Sequence, residues 1–216
     1  MDKRFLAILG TILIGFSAFV YWSNLNNDKT IQQTNPSNHL TGKADSTVKF
    51  VEYGDFQCPA CAGFNAAFEK TVETYKDRVS FQFRNLPISQ IHPNAMAAAR
   101  AGEAAAIQGK FWEMHSALYE QTNWSAWTQA KDPTELFNRY ARQIGLNEKT
   151  FKADFVSPKV NDIISADRAA FDKTKEDVAT PTFFLNGKKI ENNKLTDASG
   201  NPSVEAFSKL LDAALK

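Results

Sequence analysis

The chain has 216 residues, 43% hydrophobic and 23% charged, with a formal net charge of +1. That is ordinary for one globular domain with an appendage, and the length is ample for a sizeable core. Setting aside Asp2, Lys3 and Arg4 leaves the rest near neutral, which excludes the basic footprint of a nucleic-acid-binding surface.

The leading segment carries a membrane signal. Lys3 and Arg4 precede Phe5 to Trp22, an uncharged stretch of about 18 residues that is just long enough to span a bilayer as a helix. The basic flank on its N-terminal side predicts that the body faces away from the cytoplasm, with Tyr21 and Trp22 at the interface. A cleaved signal peptide and a secreted body are the competing reading. The stretch is long for a signal core and no small-x-small cleavage site follows it, which favours an uncleaved anchor. The expected organisation is a cytoplasmic stub over 1–4, an anchor over 5–22, a polar linker over 23–44 and a domain over 45–216. The linker is rich in Asn, Gln, Ser and Thr, and His39 within it reads as a solvated residue.

Thr47 to Tyr53 is the first strand of the body, apolar on both faces as suits a central strand covered by helices. Directly after it comes Gly54-Asp55-Phe56-Gln57-Cys58-Pro59-Ala60-Cys61, which holds the only two cysteines of the chain. A Cys-x-x-Cys pair between a strand and a helix reads as a redox motif. The unpaired N–H groups and partial positive charge of a helix N-terminus favour a thiolate over a thiol. Cys58 lies at that end as the attacking sulfur, and Cys61 lies one turn further in as the resolving one. Pro59 suits the first helical turn, where its missing N–H costs nothing. Phe64, Phe68, Val72 and Tyr75 continue the helix as a buried stripe. Half of a zinc site is one competing reading, but a complete site needs two more ligands. Beyond the cysteines the chain offers only His39, His92 and His115, which are scattered. Two buried, inert thiols are the other. Asp55 reads as a turn or cap residue ahead of the helix.

Val79 to Arg84 alternates apolar and polar residues and completes a strand–helix–strand unit. From about 91 to 178 the pattern is helical. Pro93 can open a helix that runs to Gln108, Lys110 to Glu120 is a second, and Asp132, Pro133 and Glu135 start a third that ends at Gly145. Asn147 begins a short one, and Ser157 and Pro158 open the last. Phe111, Trp112, Trp124 and Trp127 read as core or lid residues. The chain then returns to strands: Thr182 to Leu185, a turn at Asn186-Gly187, and Lys188 to Glu191. A final helix covers about Val204 to Leu215.

Four blocks in this order resemble the DsbA-like thiol–disulfide oxidoreductases, closest to the membrane-tethered BdbD-like branch. They are Gly54 to Cys61, Leu86-Pro87 with His92-Pro93, Gly109-Lys110-Phe111-Trp112 with Leu118-Tyr119, and Thr180-Pro181-Thr182-Phe183. The resemblance covers about Ser46 to Lys216. It implies an α/β thioredoxin fold interrupted by an all-helical subdomain and preceded here by a transmembrane helix. It also implies a cis Pro181 beside the disulfide, with Thr180 before it helping to set redox behaviour and substrate docking. Glu52, six residues before Cys58, matches an acid that some relatives bury near the second cysteine; a solvated strand-end carboxylate is the alternative. Family members use no metal or organic cofactor, only the disulfide. The implied partners are exported proteins with free thiols and a quinone-linked membrane reoxidase. Pro59-Ala60 departs from the strongly oxidising members, which often carry histidine between the cysteines.

The resulting expectation is an extracytoplasmic dithiol oxidase. A reductase or isomerase of the same fold is the first rival, and a non-catalytic binding or chaperone module with a structural disulfide is the second.

Overall fold

Five short segments of extended backbone pair into one mixed sheet, and the helices take their places from it. The computed structural model describes residues 15–17 and 34–216. The strands are β1 (His39–Gly42), β2 (Lys49–Gly54), β3 (Ser80–Asn85), β4 (Thr182–Leu185) and β5 (Lys188–Ile190), in the order β1-β3-β2-β4-β5. Only β2 and β3 run parallel, with Phe50 opposite Phe81 and Glu52 opposite Phe83, because α1 (Pro59–Tyr75) carries the chain from one to the other. The remaining pairs are antiparallel. Asn186 and Gly187 both take positive φ, as the tight turn between β4 and β5 requires.

Six helices lie between β3 and β4. They are α2 (Ala95–Ile107), α3 (Phe111–Tyr119), α4 (Gln121–Thr128), α5 (Thr134–Gln143), α6 (Glu148–Phe155) and α7 (Pro158–Asp172). After β5 a short 3₁₀ turn (Asn192–Leu195) leads to α8 (Val204–Ala214). Caps follow the sequence signals: Asn147 Oδ1 accepts from the N–H of Thr150, and Ser157 Oγ accepts from the N–H of Val160. The helix expected to open at Pro93 begins at Ala95 instead. The N–H of Asn94 is held by Gln57 Oε1 at 2.6 Å, while its side-chain amide donates to the carbonyls of Trp127 and Ala130.

Among the described residues two large apolar cores result, beside two small clusters around Tyr53 and Phe171 and around Val160 and Ile164. One packs Phe50 and Phe81 of the sheet, Phe183 of β4, Phe64 and Phe68 of α1, and Phe207 of α8. Each such phenylalanine contributes on the order of 2 kcal/mol by leaving water. The other joins the helical insertion, through Phe111, Met114, Trp127, Phe137 and Phe151, to Phe56, Cys58 and Cys61. The cysteine-bearing turn therefore sits where the two halves meet.

One expectation needs correcting. The linker expected to run to 44 gives way at His39 to β1, which pairs antiparallel with β3. His39 is not a solvated linker residue. Its Nε2 lies 2.6 Å from Glu103 Oε1, and its ring stacks on Phe111 with centroids 3.6 Å apart. Just before it, the N–H and hydroxyl of Ser37 both donate at 2.7 Å to the fully buried Asp167. Asn85 joins the two acids, donating 2.6 Å to Glu103 Oε1 and, through its backbone N–H, 2.9 Å to Asp167 Oδ2. Buried carboxylates need such donors, and this segment supplies them.

The apolar stretch Phe5 to Trp22 lies outside the described residues, apart from 15–17, which are helical. Among the described residues no helix is long and apolar enough to cross a membrane.

Candidate active site

The site is built at the end of β2, where the chain must leave the sheet and start α1 within a few residues. Gly54 makes this possible: a Cβ there would sit 2.7 Å from Phe83 Cζ and 3.1 Å from Glu52 Oε1. Asp55 then fixes the turn. Its Oδ1 accepts from the N–H of Gln57, its Oδ2 from the N–H of Ile88 and from His92 Nδ1, and its carbonyl from the N–H of Cys58. Asp55 is thus a turn residue, and it also fastens the active-site loop to the loop that carries His92.

Cys58 is the N-cap of α1 and Pro59 opens the helix. Both cysteines are free thiols. Cys58 Sγ donates 3.3 Å to the carbonyl oxygen of Thr180, and the Thr180–Pro181 peptide bond is cis. The tip of the returning chain therefore lies against the sulfur. Thr180 Oγ1 is buried and makes no hydrogen bond of its own, and Thr180 is among the groups that lower the Cys58 pKa.

The electrostatics separate the two thiols. The Cys58 pKa is pulled down to about 5, first by the hydrogen bond from the Cys61 thiol and then by Thr180 and the backbone N–H groups of Cys61 and Ala60; together these outweigh burial. Cys61 is pushed well above the usual thiol range, first by burial and then by the Cys58 hydrogen bond and the charges of Glu52 and Cys58. Cys58 is 7% exposed and Cys61 1%. At neutral pH Cys58 is thus the thiolate of the pair and Cys61 the thiol, and both sulfurs are covered, Cys61 the more completely.

Glu52 faces inward at 4% exposure. It shares the face of β2 with Phe50 and Gly54, since side chains alternate along a strand. Burial pushes its pKa up to about 8, and the Cys58 charge adds to that. It is therefore largely protonated when a nearby thiolate forms, and it can take up or release a proton within the working pH range.

Sequence reasoning undervalued the residues by which the insertion holds the loop. Gln57 Nε2 donates 3.0 Å to the Thr128 carbonyl, Trp124 Nε1 donates 2.8 Å to the Phe56 carbonyl, and the Tyr119 hydroxyl donates 3.4 Å to the Asp55 carbonyl. Polar Asp55 and Gln57 on either side of Phe56 were the available signal, since buried polar side chains imply fixed partners. Phe111 and Trp127 are core, as their apolar spacing suggested, while Trp112 and Trp124 are half-buried and donate to backbone carbonyls. Among the described residues no group of three or more His, Cys, Asp or Glu is placed to hold a metal ion.

Known proteins match this arrangement. The family model described as thioredoxin matches residues 34–213. A thioredoxin-like oxidoreductase from Silicibacter pomeroyi superposes with a TM-score of 0.64 at 25% identity, over 81% of this chain and 90% of that one. BdbD from Bacillus subtilis, in its oxidised form, gives 0.65 at 24% identity over 84% and 96%. In sequence, the Na(+)/H(+) antiporter NhaA 1 of Mycolicibacterium gilvum is 37% identical over 154 residues, which is 70% of this chain and 24% of that protein. The chain thus spans about a quarter of the length of the curated relatives it matches. With its model match running through sheet, insertion and cysteine turn alike, the chain belongs to the thioredoxin family, and its fold is that of the DsbA-like thiol–disulfide oxidoreductases.

Proposed function

We propose that this chain is an extracytoplasmic dithiol oxidase that donates a Cys58–Cys61 disulfide to exported proteins. The observation that carries the reading is the separation of the two thiols: Cys58 is held near 5 while Cys61 is held high. A stabilised Cys58 thiolate stabilises the reduced enzyme, and a pair whose reduced form is favoured is an oxidant. A substrate thiolate attacks the Cys58 sulfur of the disulfide, and Cys61 leaves as a thiolate. Glu52 is the nearby acid that can return a proton to Cys61. A second substrate thiolate attacks the mixed disulfide at the substrate sulfur and releases reduced Cys58 with an oxidised substrate. Two electrons move to the enzyme, and no further cofactor takes part.

Pro59 and Ala60 set the geometry between the sulfurs, and Thr180 and Pro181 present backbone to the substrate strand. Anchoring through Phe5 to Trp22, with the polar segment after it as a tether, would hold the domain outside the membrane. Reoxidation would fall to a quinone-linked membrane protein. The test is equilibration of the full chain against glutathione buffers. A potential toward about −120 mV is expected, whereas one near about −270 mV would place the chain among reductants and end the oxidase reading.

A further inference from the structure

A groove runs away from the active site between α1 and the α3–α4 corner. Its near part, a hollow of about 580 Å³, begins at Ala62 and Trp124 and continues past Asn65 to Glu69. Ala62 is one turn from Cys58, its N–H donating 3.1 Å to the Cys58 carbonyl. A second hollow of about 260 Å³ shares Glu69 and Ser116 with the first and extends to Val72 and Thr41. The two meet where Ser116 Oγ donates 2.9 Å to Glu69 Oε1.

Length and chemistry both fit a polypeptide. From Ala62 to Val72 the helix rises about 15 Å at 1.5 Å per residue. That is the span of about four or five residues of extended chain. No lysine or arginine lines either hollow, while Glu69 and Glu120 both do. Backbone N–H groups of Asn123 and Thr122 hold the Glu120 carboxyl below its usual range, so it stays charged. A separate observation comes from the far hollow. His115 is 1% exposed and lines it, yet neither ring nitrogen has a hydrogen-bond partner. Burial holds this imidazole neutral, with its pKa pushed down to about 3, so it offers one donor and one acceptor. Unpaired buried polar atoms cost free energy unless a ligand or water meets them.

We propose that the α1–α3 groove is the docking track for an extended, cysteine-bearing segment of the polypeptide substrate, with Glu69 and Glu120 selecting segments that carry lysine or arginine a few residues from the cysteine. The proposal rests on the thiol-exchange reading of Cys58. Backbone of the segment runs along α1, its cysteine reaches the Cys58 end, and its far end covers the hollow above His115. In the reacting step the segment's thiolate forms a bond to the Cys58 sulfur as the Cys58–Cys61 bond breaks, and Cys61 departs with the electron pair.

The test follows the first exchange step of the oxidised full chain with single-cysteine octapeptides. One pair carries two lysines three and four residues from the cysteine, on either side of it, and the matched pair carries glutamates. Each rate is divided by that peptide's rate with hydroxyethyl disulfide, which removes any effect of the charges on the thiol itself. The lysine peptides are expected to react about three- to tenfold faster at low salt, as for steering by two exposed charges. The ratio should fall toward one at high salt and in the Glu69→Gln/Glu120→Gln double variant. Because a ratio is read, a uniform loss of folded protein cancels. Equal rates for both peptides, or a ratio that survives the double substitution, overturn the groove. Failure to react with free cysteine as well would instead sink the thiol-exchange reading on which the groove depends.

Discussion

Two sulfurs three residues apart on one helix end in opposite states, and the difference lies in their surroundings. At the mouth, Cys58 caps α1, sees the free N–H groups of the first turn and lies against Thr180. In the interior, Cys61 is packed under the helical insertion with the buried acid Glu52 as its neighbour. The dipole and donors at a helix end lower a thiol's pKa, while burial without donors raises it. The same residue type is thus held as a thiolate at one position and as a protected thiol at the other. The lesson is that the Cys-x-x-Cys spacing sets up this asymmetry, and the walls around it decide its size.

The most drastic way to break the comparison is to remove the mouth sulfur. Cys58→Ser should lower exchange with small disulfides by a factor of roughly 10³ or more, whereas Cys61→Ser should keep attack and accumulate a mixed disulfide. Stopped-flow kinetics and mass measurement separate the two. Equal losses, with no adduct on Cys61→Ser, would show that the sulfurs are not divided into attacker and resolver.

The next effect concerns the frame that holds the interior. Asp167→Ala strands the donors of Ser37 and Asn85 in a buried site and should cost about 3 kcal/mol in denaturant unfolding. A loss below about 0.5 kcal/mol, the range of ordinary surface substitutions, would mean that Ser37 and His39 are only loosely docked.

Glu52 sharpens the interior side. Because its folded pKa is raised from 4.5 to about 8, it favours the fold below about pH 4.5, and that contribution is lost as pH rises toward 8. Glu52→Gln should therefore stabilise the reduced chain at pH 8, by roughly 1–3 kcal/mol, and leave it little changed at pH 4. Cys58 has the opposite sign. Its lowered pKa gives the reduced fold a contribution that is full above about pH 9 and lost as pH falls through about 5. Thermal unfolding across pH, compared between the parent chain, Glu52→Gln and Cys58→Ser, resolves the two slopes. If Glu52→Gln leaves the pH profile unchanged, the buried-acid assignment goes.

The smallest expected change is at Thr180. Thr180→Val removes one hydroxyl facing the sulfur and should raise the Cys58 pKa by about one unit, the worth of a hydrogen bond to a charged group. Thiolate reactivity against pH reads this directly, and an unmoved midpoint would take the hydroxyl out of the account.

Much of this site was legible in the chain because its signals are local. The cysteine spacing, Pro59 at the helix start, the apolar stripe through Phe64 and Phe68, and the Asn186-Gly187 turn each dictate their own structure within a few residues. What escaped depends on partners far away in sequence. β1 has only four residues, His-Leu-Thr-Gly, without alternation, and it is a strand because β3 offers it an edge. His39 is half-buried against Glu103 and Phe111, from helices that a linear reading cannot place beside it. The same holds for α4. Its eight residues form a separate helix because the Glu120 carboxylate accepts from the N–H groups of Thr122 and Asn123. Glu52 was open between an interior and an exposed reading until the face of β2 was known, since a strand's alternation gives two faces but does not say which is covered.

The asymmetry of the two thiols is tested most directly by following the thiolate's ultraviolet absorbance in the reduced full chain as pH is raised, with Cys58→Ser as the reference. The account predicts a single thiolate with a midpoint near pH 5, absent from Cys58→Ser, and no second thiolate until well above pH 9. A first midpoint near about 8.5, the value of an ordinary cysteine, would contradict it.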